Sequence, residues 1–335
     1  MATVRVGTSG WSYDWDFYPR GLKPTERLSY YAKFFDTVEV NSSFYSLPRE
    51  ESFKAWGDQT PEGFRFCIKG SRYVTHHLLP EGKRLRGVRK AVSNLTRRAK
   101  HLGDKLGPFL WQLPPTLKAD ADLLEKFLVI LTSDGLDHVV EFRHGSWYSP
   151  EVFHLMESYK VGMCSVSAPW YSSELFRTGP VGYLRMHGET ELYSGSYTTE
   201  ELSIWATRLC DSFERSPRIG PKTEKGFVFF NNTNGNAVRN ALALKRFIAD
   251  PALRQRAIER AQARIRPKCR GCPERRRRSV CRVCNLFGSP SEMVEFAETH
   301  PEVLVNNRIN LREARRRHLL PQEHGSRFGT SRKEG

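Results

Sequence analysis

Two glutamates, one histidine and several basic side chains stand where apolar runs of this 335-residue chain give way to polar ones. Glu39 lies in TVEV, Glu141 in HVVEFRHGSW and His187 directly after VGYLRM. Two carboxylates in one pocket can divide the roles of general acid and base when their surroundings push their pKa values apart. An imidazole moves protons near neutral pH. Glu39, Glu141 and His187 are therefore the candidate catalytic residues, and their oxygen and nitrogen donors also suit a divalent metal. Lys69, Arg143 and Arg185 give three cations against two glutamates, an excess that favours an anionic substrate such as a phosphate or carboxylate. Ser9, Trp11, Tyr13, Asn41, Arg72, Gln112 and Asn231 fall at comparable positions and complete the candidate substrate-binding set. Trp11 and Tyr13, with Phe44, Tyr45 and Trp147, read as an aromatic rim able to stack a sugar or a base.

A second chemistry is written near the C-terminus. Cys269, Cys272, Cys281 and Cys284 are spaced C-x2-C, eight residues, C-x2-C. Four thiolates in two knuckles fit one tetrahedral structural zinc, with an iron–sulfur cluster or free thiols as the alternatives. Zinc at this site would supply most of the folding energy of so small a unit. Arg275, Arg276, Arg277 and Arg278 lie between the two knuckles, and Arg315, Arg316 and Arg317 form a second run in a helical stretch. These arginines are the candidate nucleic-acid-binding residues, able to track a phosphate backbone, while an acidic protein partner is the other way to use them.

The barrel candidates need a scaffold that brings distant strands together. In HVVEFRHGSW the side chains alternate faces, so Glu141 and Arg143 point one way while Val140, Phe142 and His144 point the other. Arg185 and His187 likewise share a face. Eight short apolar strands are expected near Val4, Val38, Phe66, Phe109, Val139, Val161, Tyr183 and Phe227, most followed by a helical stretch. Strand, helix, strand at this spacing implies a parallel sheet, and eight units in about 250 residues match a (β/α)8 TIM-type barrel. An open doubly wound sheet is the alternative, but VGTSG lacks the dinucleotide-binding glycine spacing. In a barrel the site lies at the C-terminal strand ends, which here hold the polar side chains named above, and the opposite ends are expected to be apolar by comparison. His144 and the tandem His76 and His77 rank below His187 as proton carriers.

Several long stretches resemble the domain of unknown function 72 family, also called YecE-like. They are VGTSGWSYDWDFYP, VEVNSSFYSLP, FCIKGSRYVTHH, LWQLPP, VEFRHGSW, YLRMHG and FFNNTNGNA, in that order and spanning roughly residues 4 to 247. The resemblance implies a (β/α)8 barrel and leaves the reaction open. The expected organisation is a barrel over residues 1–250, a basic helical segment with a zinc-ribbon-like or knuckle site of four cysteines over 251–322, and a disordered tail over 323–335.

Charge supports the division, since residues 251–335 carry 20 Lys+Arg against 9 Asp+Glu in a chain of net charge +16. No apolar run reaches the roughly 18 to 20 residues that cross a membrane. A strand-like VRVG at Val4 in place of a signal peptide, and seven cysteines, an odd number, point to a reducing cytoplasm. Cys67, Cys164 and Cys210 are expected to be buried thiols. The leading function is a barrel enzyme acting on a phosphorylated or nucleic-acid substrate, recruited by its basic tail. Hydrolase, lyase and isomerase chemistry all suit the residues. The alternative is a non-catalytic nucleic-acid-binding or scaffold protein.

Overall fold

The computed structural model describes residues 3–13, 17–82, 85–168, 171–173, 175–188, 193–214, 224–232 and 235–269, together with two short strands at 304–305 and 308–309. The chain divides into two compact units, residues 1–264 and 265–335. In the first, the strands are β1 (Thr3–Thr8), β2 (Thr37–Val40), β3 (Arg65–Lys69), β4 (Leu106–Gln112), β5 (His138–Glu141), β6 (Gly162–Ala168), β7 (Tyr171–Ser172), β8 (Val181–Met186) and β9 (Lys225–Phe230). Eight of them pair in parallel in the order β1-β9-β8-β6-β5-β4-β3-β2, and β7 adds two antiparallel pairs to β6. One parallel bridge, Ser9 to Glu39, joins the two ends of that path and closes the barrel. The eight expected strands are all present. The second unit contains the antiparallel pair β10 (Leu304–Val305) and β11 (Arg308–Ile309). No helix among the described residues is long and apolar enough to cross a membrane.

Helices α1 (Arg27–Tyr31), α2 (Ser42–Tyr45), α3 (Glu50–Asp58), α4 (Leu85–Ala99), α5 (Ala121–Thr132), α6 (Pro150–Ser158), α7 (Thr199–Leu209), α8 (Ala237–Ala249) and α9 (Pro251–Cys269) follow most of the strands, and among the described residues none lies between β6 and β8. Three of their starts carry side-chain caps. Asp120 accepts from Leu123 N ahead of α5, Ser149 accepts from Val152 N ahead of α6 with Pro150 as first helical residue, and Thr198 and Glu201 form a reciprocal capping box on α7. Helix α4 looks polar in sequence because only one stripe, Val88, Val92, Leu95, Thr96 and Ala99, meets the core, while Arg89, Lys90 and Arg97 face solvent.

Alternation along the strands sorts the core into two layers. Cys67, Leu110, Val139, Cys164, Val166, Val181, Tyr183, Phe227 and Phe229 cluster inside the barrel, while Val38, Val40, Phe66, Ile68, Trp111 and Val140 belong to the outer layer that the helices cover. Cys67, Cys164 and Cys210 are buried thiols, as expected. Two glycines set close approaches. A Cβ on Gly7 would lie 2.3 Å from the carbonyl oxygen of Thr37, so the seam between β1 and β2 tolerates no side chain there. A Cβ on Gly70 would lie 2.2 Å from the Trp111 ring.

The N-terminal strand ends are not the apolar counterpart that the sequence led us to expect. Arg5 pairs with Asp36 at 3.0 Å, Lys225 with Asp137 at 2.7 Å, and Lys245 with Asp36 at 3.4 Å. Apart from Lys245, which reaches over from α8, these charges lie at or just before the starts of strands; solvent still reaches all of them, so they need no special environment. The two ends differ in burial rather than in charge.

Candidate active site at the barrel mouth

Residues of one strand parity meet inside the C-terminal end. Glu39 pairs across the seam with Ser9, Gln112 is in register with Glu141, and Arg185 is in register with Phe229 of the interior cluster. Lys69, in register with Leu110, points the same way. Glu39 and Glu141 are fully buried, Arg185 is 3% exposed and His187 1% exposed.

Arg185 is the hub. Its Nε and Nη2 donate to Glu39 Oε2 and Oε1 at 3.0 and 2.9 Å, a bidentate pairing, and its Nη1 donates to Glu141 Oε2 at 2.7 Å. Glu39 also accepts from Ser9 Oγ at 3.0 Å and from the Tyr183 hydroxyl at 2.8 Å. Glu141 also accepts from Arg143 Nε at 2.6 Å and from Gln112 Nε2 at 3.0 and 2.9 Å. Each carboxylate thus accepts four contacts, about all that its lone pairs allow. Ser9 Oγ accepts from Asn41 Nδ2. With the Asn231 amide turned to suit its neighbours, its nitrogen donates to Ser9 Oγ at 2.5 Å and its oxygen accepts from Arg185 Nε and Nη2 at 3.1 and 3.3 Å.

The ionisation of the cluster follows from this wiring. Burial works to raise the Glu141 carboxyl, but Arg143 and Arg185 outweigh it and hold the group well below the usual carboxylate range. Burial likewise works against the Arg185 charge, and Glu39 and Glu141 outweigh it. His187 goes the other way. Burial, then Arg185, pushes its imidazole well below the ordinary histidine range, so it is neutral at pH 7. Burial, then Arg185, pushes the Lys69 ammonium down to about 8.

Against this saturated network a few polar atoms stand out. Among the described residues, both ring nitrogens of His187, Nη2 of Arg143 and Oδ1 of Asn41 are buried without a hydrogen-bond partner. His187 feels the charges of Arg185, Glu141, Arg143 and Lys69, which places these donors in one electrostatic neighbourhood. Buried polar groups are rarely left unpaired, so such atoms call for an explanation.

Most of the sequence-derived set meets here: Ser9, Glu39, Asn41, Lys69, Gln112, Glu141, Arg143, Arg185, His187 and Asn231. Arg72 does not join them, since it is exposed on the turn after β3. Of the aromatic rim, Phe44 lies under the Lys69 ammonium, 4.1 Å from ring centroid to Nζ, and Tyr45 is 79% exposed. Tyr13 is buried with its hydroxyl on Ser9 O, and Trp11 packs edge-on against Trp56. Trp147 is no rim residue: it stacks on Phe142, donates Nε1 to Leu117 O and is 1% exposed. A full indole there completes the outer core at the end of β5 and leaves no face for a ligand.

Sequence reasoning missed Tyr183. As an aromatic in an apolar run it reads as core, yet its hydroxyl helps hold Glu39. Its parity with Arg185 was the available signal. No three-residue metal-ligating group occurs among the described residues. Cys272, Cys281, Cys284, Arg275 to Arg278 and Arg315 to Arg317 lie outside the described residues, and of Cys269 only its place at the end of α9 is described.

A family model described as "Protein of unknown function DUF72" matches residues 5–263. The chain belongs to the DUF72 family. It is 22% identical over 265 residues to the UPF0759 protein YunF of Bacillus subtilis, spanning 69% of this chain and 89% of that one. It is 31% identical over 148 residues to the UPF0759 protein YecE of Escherichia coli K12, 44% of this chain and 50% of that one. Among solved structures, a DUF72 family protein of Thermotoga maritima superposes with a TM-score of 0.62 at 29% identity, covering 74% of this chain and 99% of that one. A DUF72 family protein of Enterococcus faecalis gives 0.60 at 20% identity, over 74% and 96%. These likenesses bear out the barrel and the resemblance read from the motifs.

Proposed function

We propose that the barrel mouth is an active site for an organic anion, a phosphate- or carboxylate-bearing molecule either free or as part of a nucleic acid. The observation that supports this most is the set of buried, unpartnered nitrogens on Arg143 and His187 beside Lys69. A guanidinium nitrogen with no acceptor inside a barrel is a binding site for one. Three cations against two glutamates leave one positive charge for the ligand to neutralise. The neutral His187 is the proton carrier of the site, ready to accept from or donate to a bound substrate. Asn41 Oδ1 supplies an acceptor for a substrate hydroxyl or amine.

Glu39 and Glu141 take a holding role in this reading. Their lone pairs are taken up by Arg185, Arg143, Tyr183, Ser9 and Gln112, and a proton carrier needs a free one. Arg143→Lys keeps the charge beside Glu141 and removes the unpaired nitrogen. Calorimetric titration with inorganic phosphate is expected to show binding about 10- to 100-fold weaker in this variant, the worth of one charge-assisted hydrogen bond. Equal affinity in the variant, or no phosphate binding by the native chain, would overturn the reading.

The C-terminal segment is read as a recruiting module from its sequence. Cys269, Cys272, Cys281 and Cys284 hold one structural zinc, and the two arginine runs contact a polyanion. Metal analysis of the full chain should give one zinc per chain, lost in Cys272→Ser, with binding to single-stranded RNA or DNA that weakens steeply as salt is raised. Zinc-free protein from zinc-replete cells, or affinity flat in salt, would remove this part of the proposal.

A further inference from the structure

We propose that Lys69 is a nucleophilic amine that condenses with the carbonyl group of an anionic aldehyde, ketone or keto acid to form an imine inside the barrel; this deepens, and rests on, the anion-binding reading of the same mouth.

Position argues first. Lys69 ends β3 with its side chain in the interior, 8% exposed, and its backbone is pinned because its carbonyl accepts from Ser43 Oγ at 2.7 Å. The ammonium rests on the Phe44 face. Among the described residues its Nζ makes no hydrogen bond or ion pair. Other lysines in the barrel unit do find partners: Lys105 reaches the carbonyls of Gly57 and Thr60 at 2.6 and 2.5 Å, and Lys225 reaches Asp137. An ammonium carries three donors, and one on a largely buried residue with no acceptor beside it holds its charge less readily. The two nearby carboxylates cannot serve, because Arg185 occupies both.

The surroundings then raise the share of uncharged amine well above that of an ordinary lysine. Burial and a neighbouring cation are the two ways in which proteins make a lysine nucleophilic at neutral pH, and both act here, with the ammonium lowered to about 8. The condensation balances without any redox partner. The lone pair on Nζ forms a bond to the carbonyl carbon, the two amine protons pass to the carbonyl oxygen, and the carbon–oxygen bond breaks to release water and leave a C=N double bond. His187, neutral and with both nitrogens unpaired, carries those protons between nitrogen and oxygen. Arg143 Nη2 holds the anionic end of the substrate.

The test uses the full-length chain, with pyruvate and glyceraldehyde 3-phosphate as probes and sodium borohydride to reduce any imine to a stable secondary amine. Peptide mass spectrometry is expected to map the adduct to Lys69 at roughly tenfold or more above the mean of the other lysines at pH 7, as a lowered amine pKa requires. Inorganic phosphate should suppress labelling of Lys69 alone, and Lys69→Arg should lose that adduct while keeping its thermal midpoint. Labelling spread evenly over the lysines, with phosphate still bound at the mouth, would overturn the imine and leave the anion site standing. Even labelling together with no phosphate binding would overturn both. The mapping on the native chain decides the matter even if the variant folds poorly.

Discussion

Replacing Arg185 by methionine is expected to destabilise the barrel by about 3–5 kcal/mol near neutral pH, the usual result of stripping the partner from a buried charge. Arg185 binds two carboxylates whose side chains are wholly buried. Without it Glu141 keeps Arg143 and Gln112, but Glu39 keeps only the Ser9 and Tyr183 hydroxyls. The pH dependence should flatten with the substitution. In the native chain Glu141 is held below its ordinary range, so its contribution is complete above about pH 4.3 and is lost as pH falls below that. In the variant Glu141 loses one of the two guanidiniums that oppose its burial, so less of that contribution remains to be lost in acid. Urea unfolding at about pH 7 and about pH 3 tests this: the gap between the native chain and the variant should narrow at the lower pH. Adding Glu39→Gln should recover part of the loss, because the two changes act on one network. A loss of about 1 kcal/mol or less, typical of exposed ion pairs, would show that the hub is wet and replaceable.

The second large effect comes from a site with no charge at all. Gly70→Ala should cost about 1–3 kcal/mol, the usual penalty for overpacking a core that cannot yield. The added methyl would meet Trp111 at 2.2 Å, and Trp111 has nowhere to go. Its ring is fully buried, packs edge-on to Phe127 of α5 and donates Nε1 to His138 Nδ1 at 3.0 Å. Moving the indole breaks that bond, and holding it strains β3 one residue beyond Lys69. The denaturation midpoint should fall with its slope on denaturant unchanged. A midpoint equal to that of the native chain would mean that the layer between sheet and helices is looser than the geometry describes.

Strand positions and parity were legible because both rest on local rules. Short apolar runs separated by helix-length stretches mark the eight strands, and alternation alone puts Glu141 with Arg143 and Arg185 with His187. What sequence does not hold is which atoms are already engaged. Glu39 and Glu141 read as a free acid–base pair because their types permit it, whereas the fold shows each saturated by donors from chain positions far away: Ser9, Gln112, Tyr183 and Arg185. Phe44 was legible as an aromatic near the site, but its place beneath Lys69 depends on the short helix α2, in a stretch that continues the strand pattern. Trp147 was misplaced for a similar reason, since nothing local tells an indole packed on Phe142 from one lining a mouth. The charges at the opposite end of the barrel escaped notice because half of each pair, such as Asp36 or Asp137, sits in the turn before a strand.

The seam has a consequence for the order of assembly. Strand β1 has six pairings with β9 and a single bridge to β2. Its chief partner is thus made more than two hundred residues later in the chain, a separation that carries a high loop-closure cost and slows folding. On the ribosome the first strand to emerge waits, with its edge unpaired, until residues 225–230 have been synthesised. Ser9, which ties Glu39 to Asn41 and Asn231, waits with it. The earliest-made residue of the mouth is among the last to be set in place, and the pocket closes only when the barrel does.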